Sequence, residues 1–244
     1  MKARMKQSVS FRAFSVLSLA VLFFSCGIIE DDTPLDAPTS LNAVAVNSSE
    51  STERYFSFLS INAPPDPEST LFLGTTVYYR IYNNETDRST DAASISYANT
   101  AYSPNGFHKM ASLGYERLEC ESLDGTRSSF LVEDSKEVYI RLYTEGTAED
   151  MLAGIRIGNS SAPRIVIPLR SVKGRAFNFY RTAYNPNDDV LPELDELDVK
   201  YTSFTIEDTW FVNAYAVSVG LSTSTLAPTY SQLLHLGSIQ IEKP

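Results

Sequence analysis

The sequence predicts an all-β fold of the sandwich or barrel type, on three observations. Short runs alternate apolar with polar residues and are rich in β-branched and aromatic side chains. Clusters of Pro, Asn, Asp and Ser punctuate those runs, and stretches with helical spacing are few and brief. Fourteen Tyr and 13 Phe in a chain that is 43% hydrophobic supply enough apolar surface for a core, so a folded protein is expected rather than a disordered tail.

Taken in chain order, the first 25 residues stand apart. Lys2, Arg4, Lys6 and Arg12 make a basic start without an acid; FSVLSLAVLFF (14–24) is apolar apart from two serines; Ser25 and Cys26 follow. A basic start, an apolar run and a small residue at the cut site describe a secretory signal peptide over 1–25. The run is too short to span a bilayer, which takes about 20 apolar residues. Residues 27–37 (GIIEDDTPLDA) are acidic and broken by Pro34, so 26–37 reads as an attachment residue and a solvated tether.

The stretch FFSCG resembles the lipobox of bacterial lipoproteins, in which cleavage precedes a cysteine that carries diacylglycerol. Ser25 and Gly27 fit that pattern, whereas Phe23 and Phe24 replace its usual Leu and small residue, as in the relaxed lipoboxes of spirochaetes. The resemblance implies acyl modification of Cys26 and envelope anchoring; Gly27 in place of Asp implies the outer membrane. Several acyl chains on one residue anchor firmly where one alone is marginal. Loss of the leader removes four cations and no acid, taking the net charge from −10 to −14. A chain so acidic repels nucleic acid and anionic lipid, so the membrane is expected to be reached through the lipid. Cys120 then has no partner within the chain, and a disulfide framework is excluded.

Strand patterns follow almost throughout 38–244: SLNAVAVN (40–47), RYFSFLSIN (54–62), TTVYYRIYN (75–83), EVYIRLYT (137–144), RIVIPLR (164–170), VKYTSFTI (199–206), TWFVNAYAVSV (209–219) and QLLHLGSIQIE (232–242). In the second run Phe56, Phe58 and Ser60 share one face; in the third Val77, Tyr79 and Ile81 oppose Tyr78, Arg80 and Tyr82. Pro168 places its strand at an edge or bulge. AEDMLAG (148–154) and DVLPELDEL (189–197) are long enough for a turn or two of helix, and SPNGFHKM, with His108, reads as a turn.

Both ends of this region resemble fibronectin type III domains. DAPTSLNAVAV, FLSINAPPD and VYYRIYN are similar to strands A, B and C of that family; WFVNAYAVSVGLSTSTLAP and LLHLGSIQI are similar to strand F, a Gly-x-Ser turn at Gly220–Ser222, and strand G. Ile61 stands where the family has its core Trp, and Trp210 where it has the Tyr before strand F. The resemblance implies an immunoglobulin/fibronectin type III-like sandwich, expanded by a long insertion between the C-like and F-like strands. A single domain over 38–244 is one reading; two small β domains meeting near 145–165 is the other.

Catalytic groupings are hard to find. With His108 and His235 as the only histidines, a zinc site would have to bring both together with distant carboxylates. No nucleophile-elbow or phosphate-loop motif occurs, and no cofactor is expected. Asn185, Asn187, Asp188 and Asp189 gather oxygen donors of the kind calcium takes, in no dedicated loop pattern, against the plainer reading of a solvated acidic loop. Tyr78, Arg80 and Tyr82 form a possible binding stripe, against the plainer reading of a packed face. The expected function is that of a lipid-anchored, non-catalytic envelope module binding a protein or glycan; the alternatives are an envelope glycan hydrolase or a structural subunit of an outer-membrane assembly. Mass spectrometry of the purified protein is expected to find an acylated Cys26 at the N-terminus; an unmodified terminus elsewhere would remove the anchor.

Overall fold

The fold is organised around two long strands that pair across most of the sequence. A computed structural model of the chain describes residues 35–41, 54–61, 68–100, 104–133, 135–177, 179, 191–193, 195–202 and 209–242. Cys26, most of the tether, most of the 40–47 run and the Asn185–Asp189 group lie outside the described residues.

In chain order the strands are β1 (Thr39–Ser40), β2 (Phe56–Leu59), β3 (Thr70–Tyr82), β4 (Glu116–Arg117), β5 (Glu119–Ser122), β6 (Arg127–Ser129), β7 (Glu137–Arg141), β8 (Gly154–Ile157), β9 (Val166–Leu169), β10 (Val199–Lys200), β11 (Thr209–Ser222), β12 (Pro228–Tyr230) and β13 (Leu234–Glu242). The first sheet has the order β1-β2-β7-β8-β9-β5-β6. In the second, β3 pairs antiparallel with β11 from Thr70↔Ser222 to Tyr82↔Phe211. On its other side β11 receives β13 and then β12, while β4 and the parallel β10 line β3. The all-β expectation therefore stands as two antiparallel sheets, with β10–β3 a parallel pair among them.

The sheets share a core that the alternation in each strand builds. Phe56 and Phe58, Val138 and Ile140, and Ile155 come from the first sheet; Val77, Tyr79, Ile81, Trp210, Val212, Ala214 and Ala216 come from the second. The chain also crosses between the two sheets within a short stretch. β4 pairs with β3 and β5 with β9, and on the return Val132 exchanges both backbone bonds with Thr75 (2.8 and 2.9 Å). Cys120 lies buried on β5, its thiol 3.4 Å from Ser128 O. Pro168 sits in a strand that is internal to the sheet order, but β8 and β9 are in register only at Ile155↔Val166. At Pro168 the missing N–H therefore meets no β8 ladder.

Two helices depart from the sequence expectation. α1 (Glu85–Ala98) starts at Asn84, whose side chain accepts from the N–H groups of Thr86 (2.8 Å) and Asp87 (3.2 Å), and carries Glu85 and Asp87 in its first turn. α2 (Asn105–Ser112) includes His108, where a turn was expected. The reason is compositional: α1 buries Arg88, Asp91 and Ile95, so its inner face carries no apolar stripe for the eye to follow. Together the helices cover the second face of β3 and β11, over Tyr82, Ile95, Met110, Tyr115, Tyr215 and Val217. The 148–154 stretch forms a 3₁₀ turn at Glu149–Met151.

A buried ion cluster ties the β9 end to β10. Arg170, fully buried, donates from Nε (2.8 Å) and Nη2 (2.6 Å) to the two oxygens of Asp198, and Nη2 also meets Glu196. The Tyr79 hydroxyl donates to Asp198 Oδ2 (2.8 Å) and accepts the Ser171 N–H (2.9 Å), while the Asp198 carbonyl accepts from Ile81 N–H. Removing one partner of such a pair strands the other charge in low dielectric. Asp198→Ala is therefore expected to destabilise by about 3–5 kcal/mol. Lys173→Ala, which removes an exposed partner of Glu193 and a longer contact to Glu196, should lose far less. Denaturant titration of both variants checks the contrast, and equal losses would contradict it.

Candidate functional site

The outer face of the first sheet carries a cavity of about 170 Å³ lined by Tyr55, Tyr139, Arg141, Asp150, Arg156, Ser160 and Ser161. Strand alternation places its floor. With Val138, Ile140 and Ile155 turned into the core, Tyr139, Arg141 and Arg156 must face outward. Register then lays Ser57, Tyr139 and Arg156 side by side across β2, β7 and β8. The 3₁₀ turn folds over this face, and the turn after β8 brings in the two exposed serines, whose hydroxyls bond to no protein group among the described residues.

The two guanidiniums differ in their surroundings. Arg141 donates from Nε to the Asp150 carbonyl (2.9 Å), pairs with the buried Glu145 and lies 5.8 Å from the centre of the Tyr55 ring. Burial pushes the Glu145 carboxyl upward, against the opposing pull of Arg141 and Arg54. Arg156 is 3% exposed yet makes no ion pair among the described residues. Its Nη groups meet the carbonyls of Glu149 and Leu152, and its buried Nε has no partner. Burial depresses its pKa, Glu149 and Asp150 oppose that, and the like charges of Arg141 and Arg164 add to it. Such a site presents positive charge to a small space, with hydroxyls and one carboxylate at its rim. No three His, Cys, Asp or Glu side chains gather as a metal site among the described residues.

The Tyr78–Arg80–Tyr82 stripe lies on the helix-covered face of the second sheet. Tyr82 is fully buried, and Tyr78 and Arg80 are half-buried. Tyr78 meets the Phe107 ring edge-on at 5.4 Å, and Arg80 sits 5.9 Å over the Tyr82 ring. Sequence reading missed Tyr55, Tyr139, Arg141 and Arg156, although the same signal was present: Tyr and Arg on the outward positions of strands.

Beneath the helices runs a chain of hydrogen bonds. Lys200 Nζ donates to Asp91 Oδ1 (2.9 Å), and Tyr82 gives its one hydroxyl proton to Asp91 Oδ2 (3.0 Å). The hydroxyl of Tyr115 stands 3.1 Å from that of Tyr82 and accepts from Asn213 Nδ2 (2.7 Å). Asn213 Oδ1 is left to accept from His235 Nε2 (2.8 Å), which fixes the proton on that nitrogen. His235 also stacks on Tyr215 at 4.6 Å. Burial pushes the Tyr115 hydroxyl up to about 12, so the phenol stays protonated.

No protein-family model matches the chain, and neither a curated protein nor a solved structure does.

Desolvation, then the charge of Arg88, pulls the His235 pKa below its ordinary value. The folded state thus binds fewer protons than the unfolded state in the window just below the ordinary histidine value, about 6.5. Stability is full above that window and falls as pH drops through it; the exposed part of the residue limits the size of the loss. Thermal melts between pH 7 and 5 are expected to decline less for His235→Gln than for the wild type. Parallel declines would show that His235 does not carry the effect.

Proposed function

We propose that the chain is an exported lipoprotein, held in the outer membrane by acyl groups on Cys26, that binds a protein or glycan partner without catalysis. The basic start, apolar run and Ser25-Cys26-Gly27 sequence support the anchor. The observation that carries the binding reading is the outer-face cavity, where two guanidiniums and two tyrosines surround a space near the size of one small ligand. A glycan hydrolase of the usual kind works through a carboxylate pair. This cavity offers Asp150 alone among acids.

We further read the sandwich as an expanded fibronectin type III-like fold. β1, β2 and β7 pair in the order of A, B and E strands, and β3, β11 and β13 in the order of C, F and G. The helices and the remaining central strands then make up the insertion. Gly220–Ser222 departs from the family pattern: it continues β11 past a register shift at Val219/Gly220, and the chain turns only after Ser222.

Phase partition in detergent tests the anchor. The wild type is expected in the detergent phase and Cys26→Ala in the aqueous phase; an aqueous wild type would overturn the anchored reading. A binder should also retain envelope polysaccharide on a column without shortening it, whereas released fragments would identify an enzyme.

A further inference from the structure

Taking the chain as a binder, we propose that the outer-face cavity accepts one negatively charged sugar unit. Its acid group, a carboxylate or a phosphate, sits on Arg156, and its hydroxyls meet Asp150, Ser160 and Ser161.

The charge requirement comes from Arg156. In a chain of net charge −10, Arg170, Arg141 and Arg88 each meet a carboxylate. Arg156 is as buried as Arg141 and has only carbonyl oxygens, with Nε unpartnered. A buried guanidinium without an anion destabilises the folded state, and an incoming acid group relieves that. Its neighbours Arg141 and Arg164 are each paired with a carboxylate, Glu145 and Glu149, so the pull on an anion in this cavity rests on Arg156.

The remaining lining selects what carries the acid. Asp150 faces the same space and repels a bare anion, but it accepts hydrogen bonds from hydroxyl groups. A ligand with an acid at one end and hydroxyls at the other satisfies Arg156 and Asp150 together. Ser160 and Ser161 add hydroxyls that no described protein group engages. Tyr55 and Tyr139 stand 5.9 Å apart with planes tilted by 49°, forming a corner against which a ring can rest. The Tyr139 hydroxyl donates to Glu137 (3.0 Å), which holds its ring in place. At about 170 Å³ the cavity is smaller than the roughly 300–1,000 Å³ that drug-sized ligands occupy, so it suits a single ring rather than an oligosaccharide.

Calorimetric titration of the full chain in detergent with glucuronate, glucose 6-phosphate, glucose and inorganic phosphate tests the assignment. At least one acidic sugar should bind about tenfold or more tightly than glucose and inorganic phosphate, and the stronger of the two identifies the acid. Arg156→Met should weaken it by at least about tenfold. Ser160→Trp, on an exposed turn, should block binding with the melting temperature unchanged, and it serves as the test should Arg156→Met fail to fold. Inorganic phosphate binding as tightly as the sugars would reduce the cavity to a bare anion site. Glucose binding equally would show that the acid is not read. Either result, or heat from none of the four, overturns the ligand class; the binding reading itself stands or falls on the polysaccharide column. Binding that survives Ser160→Trp would place the sugar elsewhere and overturn the assignment.

Discussion

Everything in this fold answers to one constraint: the β3–β11 pair is apolar on both faces and must be covered on both. On one side, Val77, Tyr79 and Ile81 with Trp210, Val212, Ala214 and Ala216 need a second sheet. On the other, Tyr82, Tyr215 and Val217 need a different cover, and the segment after β3 supplies it as two helices. A strand buried on both faces reads as near-continuous hydrophobicity rather than clean alternation, and TWFVNAYAVSV does so. Because the helices are committed to the second sheet, the outer face of the first sheet keeps room for the cavity.

How the polar groups are handled follows from the same geometry. The helix-covered face is rich in tyrosine, whose hydroxyls must be matched when buried. Asp91, Asn213 and His235 meet that demand in one continuous donor order. The core side has its own polar demand at Tyr79, met by Asp198 and the Ser171 N–H. In both places a tyrosine hydroxyl brings a carboxylate inside, and the carboxylate brings a cation: Lys200 for Asp91, Arg170 for Asp198. Arg156 is the exception to this closed accounting: acids stand nearby, but its guanidinium bonds only to carbonyls among the described residues.

The strands were legible because their signal is local. Val77, Tyr79 and Ile81 against Tyr78, Arg80 and Tyr82 separate by period alone, and the packing follows that division: the first set lies in the core between the sheets, Tyr78 and Tyr82 under the helices. The helices were not legible, because α1 buries Arg88 and Asp91 against a polar network that exists only once β3, β10 and β11 are assembled. The tyrosine stripe was visible as a pattern and its packed reading was available, but the helices that cover it were not, for the same reason. Of the site, Tyr139 and Arg141 lay in a strand that was recognised, yet their meeting with Arg156 depends on register across β7 and β8, and that with Asp150 on a turn folding back. Sequence spacing carries neither piece of information. The lipobox resemblance concerns a segment whose meaning lies in processing, not packing, and so it could be read without any fold.

The pairing of β3 with β11 also sets an order of events. Their partners lie more than half the chain length apart, and contacts so distant in sequence make closure slow. A chain delivered from its N-terminus presents β3 long before β11 exists to receive it, so the central sheet stays open until nearly the last residue has arrived. Premature locking of the central sheet is thereby prevented by topology. The corresponding hazard is that the long apolar edge of β3 stands unpaired throughout that interval, a condition that favours strand addition by another chain and makes early shielding by α1, α2 and β4 as much a matter of folding as of final stability.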